Sequence, residues 1–99
     1  MWNVLIVDRV AERFIEGLTS RGFNVEYRPG LEKRDLLEII NKYDVLVFRG
    51  RLRIDKDVIT AGERLKVLAR YGIGLDNVDV EYAVKRGIAC LLYTSDAAD

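Results

Sequence analysis

Short apolar runs and amphipathic runs alternate along the chain and predict five β-strands with a helix between successive strands. The first apolar run, "NVLIVD" at 3–8, is continuous and rich in β-branched residues, as in a strand buried on both faces. The other predicted strands cover residues 24–28, 44–48, 65–69 and 88–92. Strict alternation with short connections predicts a parallel sheet with right-handed crossovers. The expected fold is α/β: a flavodoxin-like, doubly wound sheet of strand order 2-1-3-4-5.

In the segments between these strands the apolar residues recur at helical spacing. The first helix is expected to end at Gly22, a residue type that favours the C-terminal end of a helix. The second helix leads directly into the strand at 44–48. The apolar residues on the inner faces of these two helices are Val10, Phe14, Leu18, Leu36, Ile39, Ile40 and Tyr43.

Aspartates mark the beginnings of the third and fourth helices. Asp55 and Asp79 are good N-caps, since a carboxylate accepts hydrogen bonds from the first main-chain N–H groups of a helix. Ile54 and Ile59 flank the first of these positions with the spacing of a hydrophobic staple. The fourth helix is expected to stop at Gly87.

No fifth helix is predicted after the last strand, because "YTSDAAD" at 93–99 lacks apolar periodicity. A helix that buries four apolar side chains contributes roughly 6–12 kcal/mol. That amount is comparable with the total stability of a small domain, about 5–15 kcal/mol. We therefore expect one face of the sheet to be bare near its edge, and we interpret the chain as a piece of something larger.

Composition narrows the possible functions. With 49% hydrophobic and 32% charged residues, the sequence predicts a globular, soluble domain. Its 16 basic and 16 acidic residues give no net charge, which argues against nucleic-acid and membrane-surface partners. There is no histidine and one cysteine, Cys90, so no metal site of ordinary spacing is expected. Cys90 is predicted to be an inert core residue, and the expected location is the cytoplasm.

Glycine and arginine follow the predicted strands where open α/β sheets bind ligands, beyond the carboxyl ends of the strands. Arg49 and Gly50 follow the third strand, and Gly72, Ile73 and Gly74 follow the fourth. Main-chain N–H groups and guanidinium groups placed together bind carboxylates and phosphates. A lone G-x-G after a strand is more often a tight turn than a binding site, so both interpretations remain open.

Other readings of this edge are less well supported. A dinucleotide loop would need a small third residue, but Asn77 stands there and would crowd the helix against the strand. Asp8 is either an acid site or, as we favour, the cap of the first helix. Arg51 and Arg53 are predicted to form a solvated basic edge.

Three stretches together resemble one known family: "VLIVD", "YDVLVFRGRLRIDKDVI" and "LKVLARYGIGLDNVDVEYAVKRGIA". They are similar to the N-terminal substrate domain of the D-2-hydroxyacid dehydrogenases, in particular the phosphoglycerate branch of that family. The resemblance covers residues 1–89. The stretch 90–99, "CLLYTSDAAD", departs from the family pattern and is predicted to be an atypical tail.

The resemblance implies an NAD-dependent oxidoreductase that oxidises the CH–OH group of a D-2-hydroxyacid, here 3-phosphoglycerate in serine biosynthesis. It also implies a full-length homo-oligomer whose catalytic Arg, Glu and His and whose cofactor fingerprint lie further along. This chain is thus expected to be inactive alone, with no catalytic or cofactor-binding residue. The substrate-binding residues implied are Arg49, Gly50, Gly72, Ile73 and Gly74. The alternative is a stand-alone small-acid-binding or oligomerisation module of the same fold.

Overall fold

Five parallel strands form a single sheet in a computed structural model that describes residues 1–72 and 74–93. The strand order is β2-β1-β3-β4-β5, which confirms the predicted order. Each strand lies close to its predicted position. The strands are β1 (Asn3–Ile6), β2 (Asn24–Tyr27), β3 (Val45–Phe48), β4 (Val67–Tyr71) and β5 (Ala89–Tyr93).

Four α-helices connect the strands: α1 (Glu12–Ser20), α2 (Lys33–Ile39), α3 (Lys56–Ala61) and α4 (Val80–Lys85). A 3₁₀ turn (Ile40–Lys42) ends the second helical segment just before β3. Within the described ranges, no helix combines the length and apolar character needed to cross a membrane.

The two predicted aspartate caps are confirmed. The Asp55 side chain accepts from the N–H groups of Asp57 and Val58 at the start of α3. The Asp79 side chain accepts from the N–H of Tyr82 at the start of α4. All three bonds join residues two or three positions apart, so the local sequence was sufficient to predict them.

The sheet is covered by helices on both faces, but unequally. Buried residues of α2, α3 and α4 pack with the inward side chains of the central strands, including Leu5, Leu46 and Phe48. On the opposite face, residues of α1 such as Phe14 pack on Val47 of β3. Within the described part of the chain, α1 is the one helix whose apolar residues join this second cluster.

An apolar groove of about 310 Å³ remains on the α1 face, beside β3, β4 and β5. This groove agrees with the bare face of the sheet that the sequence predicts. Leu91 on its wall keeps 54% of its surface exposed. The groove is lined by Trp2, Val4, Phe14, Leu18, Phe23, Val45, Val47, Val67, Ala69, Leu91, Leu92 and Tyr93.

Part of the predicted tail belongs to the sheet. Cys90 pairs with Leu68 and Tyr93 pairs with Tyr71, so residues 90–93 continue the ladder between β4 and β5. Residues 94–99 lie outside the described ranges. The division of the chain at residue 89 stays a prediction.

We expect the groove to bind the fluorescent dye 8-anilinonaphthalene-1-sulfonate. Leu91→Gln places a polar amide on the groove wall and should reduce the dye fluorescence in a titration. Val84→Gln is the matched control, because Val84 is 60% exposed on α4 and does not line the groove. Equal losses in both variants would place the dye elsewhere.

A buried tyrosine links the start of β3 to β2. The Tyr43 hydroxyl donates to Glu26 Oε1 over 2.7 Å, and the residue is only 8% exposed. Burial, and then the hydrogen bond to Glu26, raises the pKa of Tyr43 to about 12. Since the folded pKa exceeds the unfolded value of about 10, this contribution to stability is complete below pH ~10 and is lost as the pH rises through about 12.

Tyr43→Phe should remove this alkaline loss. Between pH ~10 and ~12 the free energy of unfolding of the parent chain is expected to fall by about 2 kcal/mol more than that of the variant. Urea denaturation at a series of pH values measures the difference. Tyr27→Phe serves as the control, because Tyr27 is exposed. If Tyr43→Phe and the parent chain lost stability in parallel, the assignment would be wrong.

Candidate functional site

The two glycine-containing loops lie side by side. Strands β3 and β4 pair directly, with Phe48 opposite Arg70 at their carboxyl ends. Beyond the strands, an isolated parallel bridge pairs Ile54 with Val78 and keeps the loops together. The sequence placed candidate residues at this edge, and the structure brings the described ones to it. Ile73, the fifth candidate, lies outside the described residues.

The Arg70 guanidinium lies between these two loops. A Cβ at Gly50 would stand 2.7 Å from Arg70 Nη2, closer than a Cβ atom approaches another heavy atom, so the guanidinium would have to move. Arg70 Nη1 donates to the Gly74 carbonyl oxygen over 2.7 Å. Gly72 and Gly74 have φ values of 152° and 79°, which glycine adopts most readily. Sequence reasoning missed Arg70, although a charged residue in the buried run "LKVLARY" was a signal.

Asn77 connects the loop after β4 to the loop after β3. Its side-chain Nδ2 donates to the Arg49 carbonyl oxygen over 2.9 Å and to the Leu52 carbonyl oxygen over 2.6 Å. From the sequence alone, Asn77 was interpreted only as an obstacle to a dinucleotide loop. The structure shows it as a crosslink that satisfies two main-chain acceptors.

The predicted role of Asp8 as the cap of the first helix is wrong. The N-cap of α1 is Ala11, three residues after Asp8. Its main chain is extended, and its side chain makes no capping bond. Asp8 is instead 5% exposed. Its Oδ2 accepts from the main-chain N–H of Arg49 over 2.8 Å, and its Oδ1 accepts from Arg51 Nε over 2.7 Å.

The predicted solvated edge describes Arg51 only in part: its side chain keeps 41% of its surface exposed, but it is also held by bonds to the protein. Besides its ion pair with Asp8, Arg51 Nη2 donates to the carbonyl oxygens of Val7, over 3.0 Å, and Leu31, over 2.8 Å. The physical reason is the buried carboxylate, which needs a cationic partner. Arg53 is exposed, as expected.

The Arg49 side chain extends toward the start of α1. Its Nη1 donates to the Arg9 carbonyl oxygen over 3.1 Å, and its guanidinium carbon lies 5.4 Å from the centre of the Tyr71 ring. The Tyr71 hydroxyl accepts from the Ala11 N–H over 3.2 Å. The main chain of Arg49, in contrast, lies between Asp8 and Asn77.

This edge is cationic and rich in main-chain groups, which suits an anion better than a metal or a dinucleotide. Residues 1–72 and 74–93 contain no cluster of acidic, cysteine or histidine side chains able to hold a metal ion. The helix after the G-x-G loop spans only Val80–Lys85, and the Asp79 carboxylate accepts from the N–H of Tyr82 at its start. A carboxylate at a helix N-terminus competes with a pyrophosphate for the same N–H groups. Burial raises the pKa of the half-buried Cys90 thiol, in agreement with the expected inert residue.

A model of the catalytic domain of the D-isomer specific 2-hydroxyacid dehydrogenases matches residues 4–95. The chain belongs to this family. A D-3-phosphoglycerate dehydrogenase of Methanocaldococcus jannaschii is 44% identical over 88 residues, which are 89% of this chain and 17% of that protein. A hydroxypyruvate reductase of Thermotoga maritima is 51% identical over 61 residues, which are 62% of this chain and 20% of that protein.

The solved structures of this family include a close match in fold. An NAD⁺-bound 3-phosphoglycerate dehydrogenase of Entamoeba histolytica superposes with a TM-score of 0.79 at 28% identity. The match covers 92% of this chain and 32% of that one. The chain thus spans a fifth or less of the curated relatives above and about a third of this solved structure. It is most like D-3-phosphoglycerate dehydrogenase and corresponds to a small part of such a dehydrogenase.

Asn77→Ala should lower the stability of this dehydrogenase domain. The substitution leaves two main-chain carbonyls without their amide donor, so the free energy of unfolding is expected to fall by about 1–3 kcal/mol in urea denaturation. Asn41→Ala is the matched control, because Asn41 is exposed in the 3₁₀ turn. A loss no larger than that of the control would show that the crosslink is dispensable.

Proposed function

We propose that this chain is the N-terminal substrate-domain portion of an NAD-dependent D-2-hydroxyacid dehydrogenase. The proposed substrate is 3-phosphoglycerate, and the proposed pathway is serine biosynthesis. Membership of the family and the likeness to phosphoglycerate dehydrogenases support this assignment. In our proposal the loops of residues 1–89 bind the anionic substrate, and the stretch 90–99, of which the family model matches residues 90–95, takes no part in binding.

The observation that carries the proposal is the contact of both glycine loops with one guanidinium. Gly50 and Gly74 both adjoin Arg70, so main-chain groups and a delocalised positive charge are gathered at one point. The Arg70 guanidinium fills the space left by the missing Cβ of Gly50, so its positive charge lies directly against the main chain of that loop. The proposed substrate-binding residues are Arg49, Gly50, Gly72, Ile73 and Gly74, and we add Arg70 to this proposal because of its contacts with both loops.

In the same proposal the chemical step belongs to other parts of the full-length protein. NAD accepts the hydride there, and a histidine accepts the hydroxyl proton. The present sequence contains no histidine, so the proton acceptor must come from elsewhere. The chain alone is accordingly proposed to be inactive and to bind no cofactor. The full-length enzyme is proposed to be a cytoplasmic homo-oligomer with no nucleic-acid or membrane partner.

One observation favours the alternative of a free-standing binding or oligomerisation module. Leu91, Leu92 and Tyr93 are exposed on β5, the last strand of the sheet within the described residues, where a second copy would find apolar surface. The affinity of the chain for its ligand separates the two possibilities.

Isothermal titration of the chain with 3-phosphoglycerate should give a dissociation constant weaker than about 1 mM, because an incomplete cleft makes few contacts. Gly50→Ala should weaken binding further, since its Cβ displaces the Arg70 guanidinium. Gly17→Ala is the control, because a Cβ at Gly17 meets nothing within 4 Å.

Sub-millimolar binding by the parent chain would favour a free-standing module. Equal affinity of the parent chain and Gly50→Ala would place the ligand away from the glycine loops.

A further inference from the structure

The Asp8 carboxylate binds the residues on both sides of Gly50. Asp8 Oδ2 accepts from the N–H of Arg49, the residue before Gly50, over 2.8 Å. Asp8 Oδ1 accepts from the side chain of Arg51, the residue after Gly50, over 2.7 Å. A single buried carboxylate thus fixes the loop at two consecutive points around the glycine.

The charge of this carboxylate is unfavourable for the ligand that the loop is proposed to bind. Asp8 is 5% exposed, so solvent screens it poorly, and it accepts from the N–H of the Phe48–Arg49 peptide, one peptide group before that of Gly50. An anion at Gly50 would be repelled by an uncompensated carboxylate at this distance. Asp8 nevertheless is the acceptor that orients the loop.

The positive charge of Arg51 compensates the negative charge of Asp8. Its Nε pairs with Asp8, and its Nη2 donates to the carbonyl oxygens of Val7 and Leu31. These bonds fix the guanidinium over the end of β1 and against the connection between β2 and α2. The positive charge is therefore held beside Asp8, so the carboxylate orients the loop and its negative charge is neutralised.

We propose that Arg51 is a positioning residue for anion binding, which acts through Asp8 and does not touch the ligand. Arg51 compensates the carboxylate charge and keeps Asp8 in place to hold the N–H of Arg49, which fixes the loop that carries Gly50. This inference rests on the proposed function, because the anion is the substrate assigned there.

A double-mutant cycle in the 99-residue chain tests the charge compensation, with 3-phosphoglycerate as the probe. Arg51→Met should raise the dissociation constant about tenfold, the order expected for an uncompensated charge near a partly exposed site. Asp8→Asn combined with Arg51→Met should restore the constant to within about threefold of the parent value, because the carboxylate charge is gone and an amide oxygen remains for the Arg49 N–H. A purely structural role predicts that the double variant binds as weakly as Arg51→Met or more weakly, and that result would overturn the proposal.

The single variant Asp8→Asn completes the cycle, and two further variants serve as controls. Arg53→Met, a matched change at an exposed arginine in the same loop, should leave the dissociation constant unchanged. Arg51→Lys keeps the positive charge and should bind within about threefold of the parent chain. It also keeps the test decisive if Arg51→Met does not fold. Binding by Arg51→Lys as weak as that expected for Arg51→Met would refute charge compensation.

Hydrogen exchange without ligand separates this proposal from the proposed function. The main-chain N–H of Arg49 should exchange about tenfold faster in Arg51→Met and at the parent rate in Arg53→Met, since opening is less costly without the guanidinium. That outcome, together with no binding of 3-phosphoglycerate by the parent chain, would refute the proposed substrate while supporting the positioning role. Unchanged exchange in Arg51→Met would refute the positioning role itself.

Discussion

The Arg70 guanidinium fills the space into which a side chain at residue 50 would extend. It stands 2.7 Å from the position of a Cβ there and donates to the Gly74 carbonyl oxygen on its other side. The two loops keep this spacing because residue 50 has no side chain. Arg70 reaches both loops because it lies at the end of β4, in register with the last residue of β3. The geometry of the proposed anion site follows from this contact.

The remaining contacts at this edge fix the loop after β3 from opposite sides. Asn77 binds two of its carbonyl oxygens from the β4 side, and Asp8 accepts its first N–H from the β1 side. The Arg51 guanidinium also donates to the carbonyl oxygen of Leu31, which lies in the connection between β2 and α2. The loop after β3 is thus held by residues that follow β1, β2 and β4, and its conformational freedom is small. An ordered loop binds a small anion at a lower entropic cost.

The sequence was sufficient for the fold and for the contacts that are local. Apolar periodicity predicted the five strands and their order, and Asp55 and Asp79 were predicted as caps because their partners lie within one helical turn. Asp8 was misassigned because its partners, Arg49 and Arg51, lie more than 40 positions away along the chain. The sequence shows such contacts only after the pairing of the strands is known, and the same holds for the role of Arg70 beside Gly50.

The most direct test of the account is where 3-phosphoglycerate binds on the chain, measured by ¹H–¹⁵N correlation spectra during a titration. We expect the main-chain amide signals of Gly50 and Gly74 to shift together along one binding curve. The amide signals of Gly17 and Gly87, which lie in α1 and after α4, should stay in place. Shifts confined to the apolar groove residues, with Gly50 and Gly74 unmoved, would contradict the assignment of these loops to the substrate.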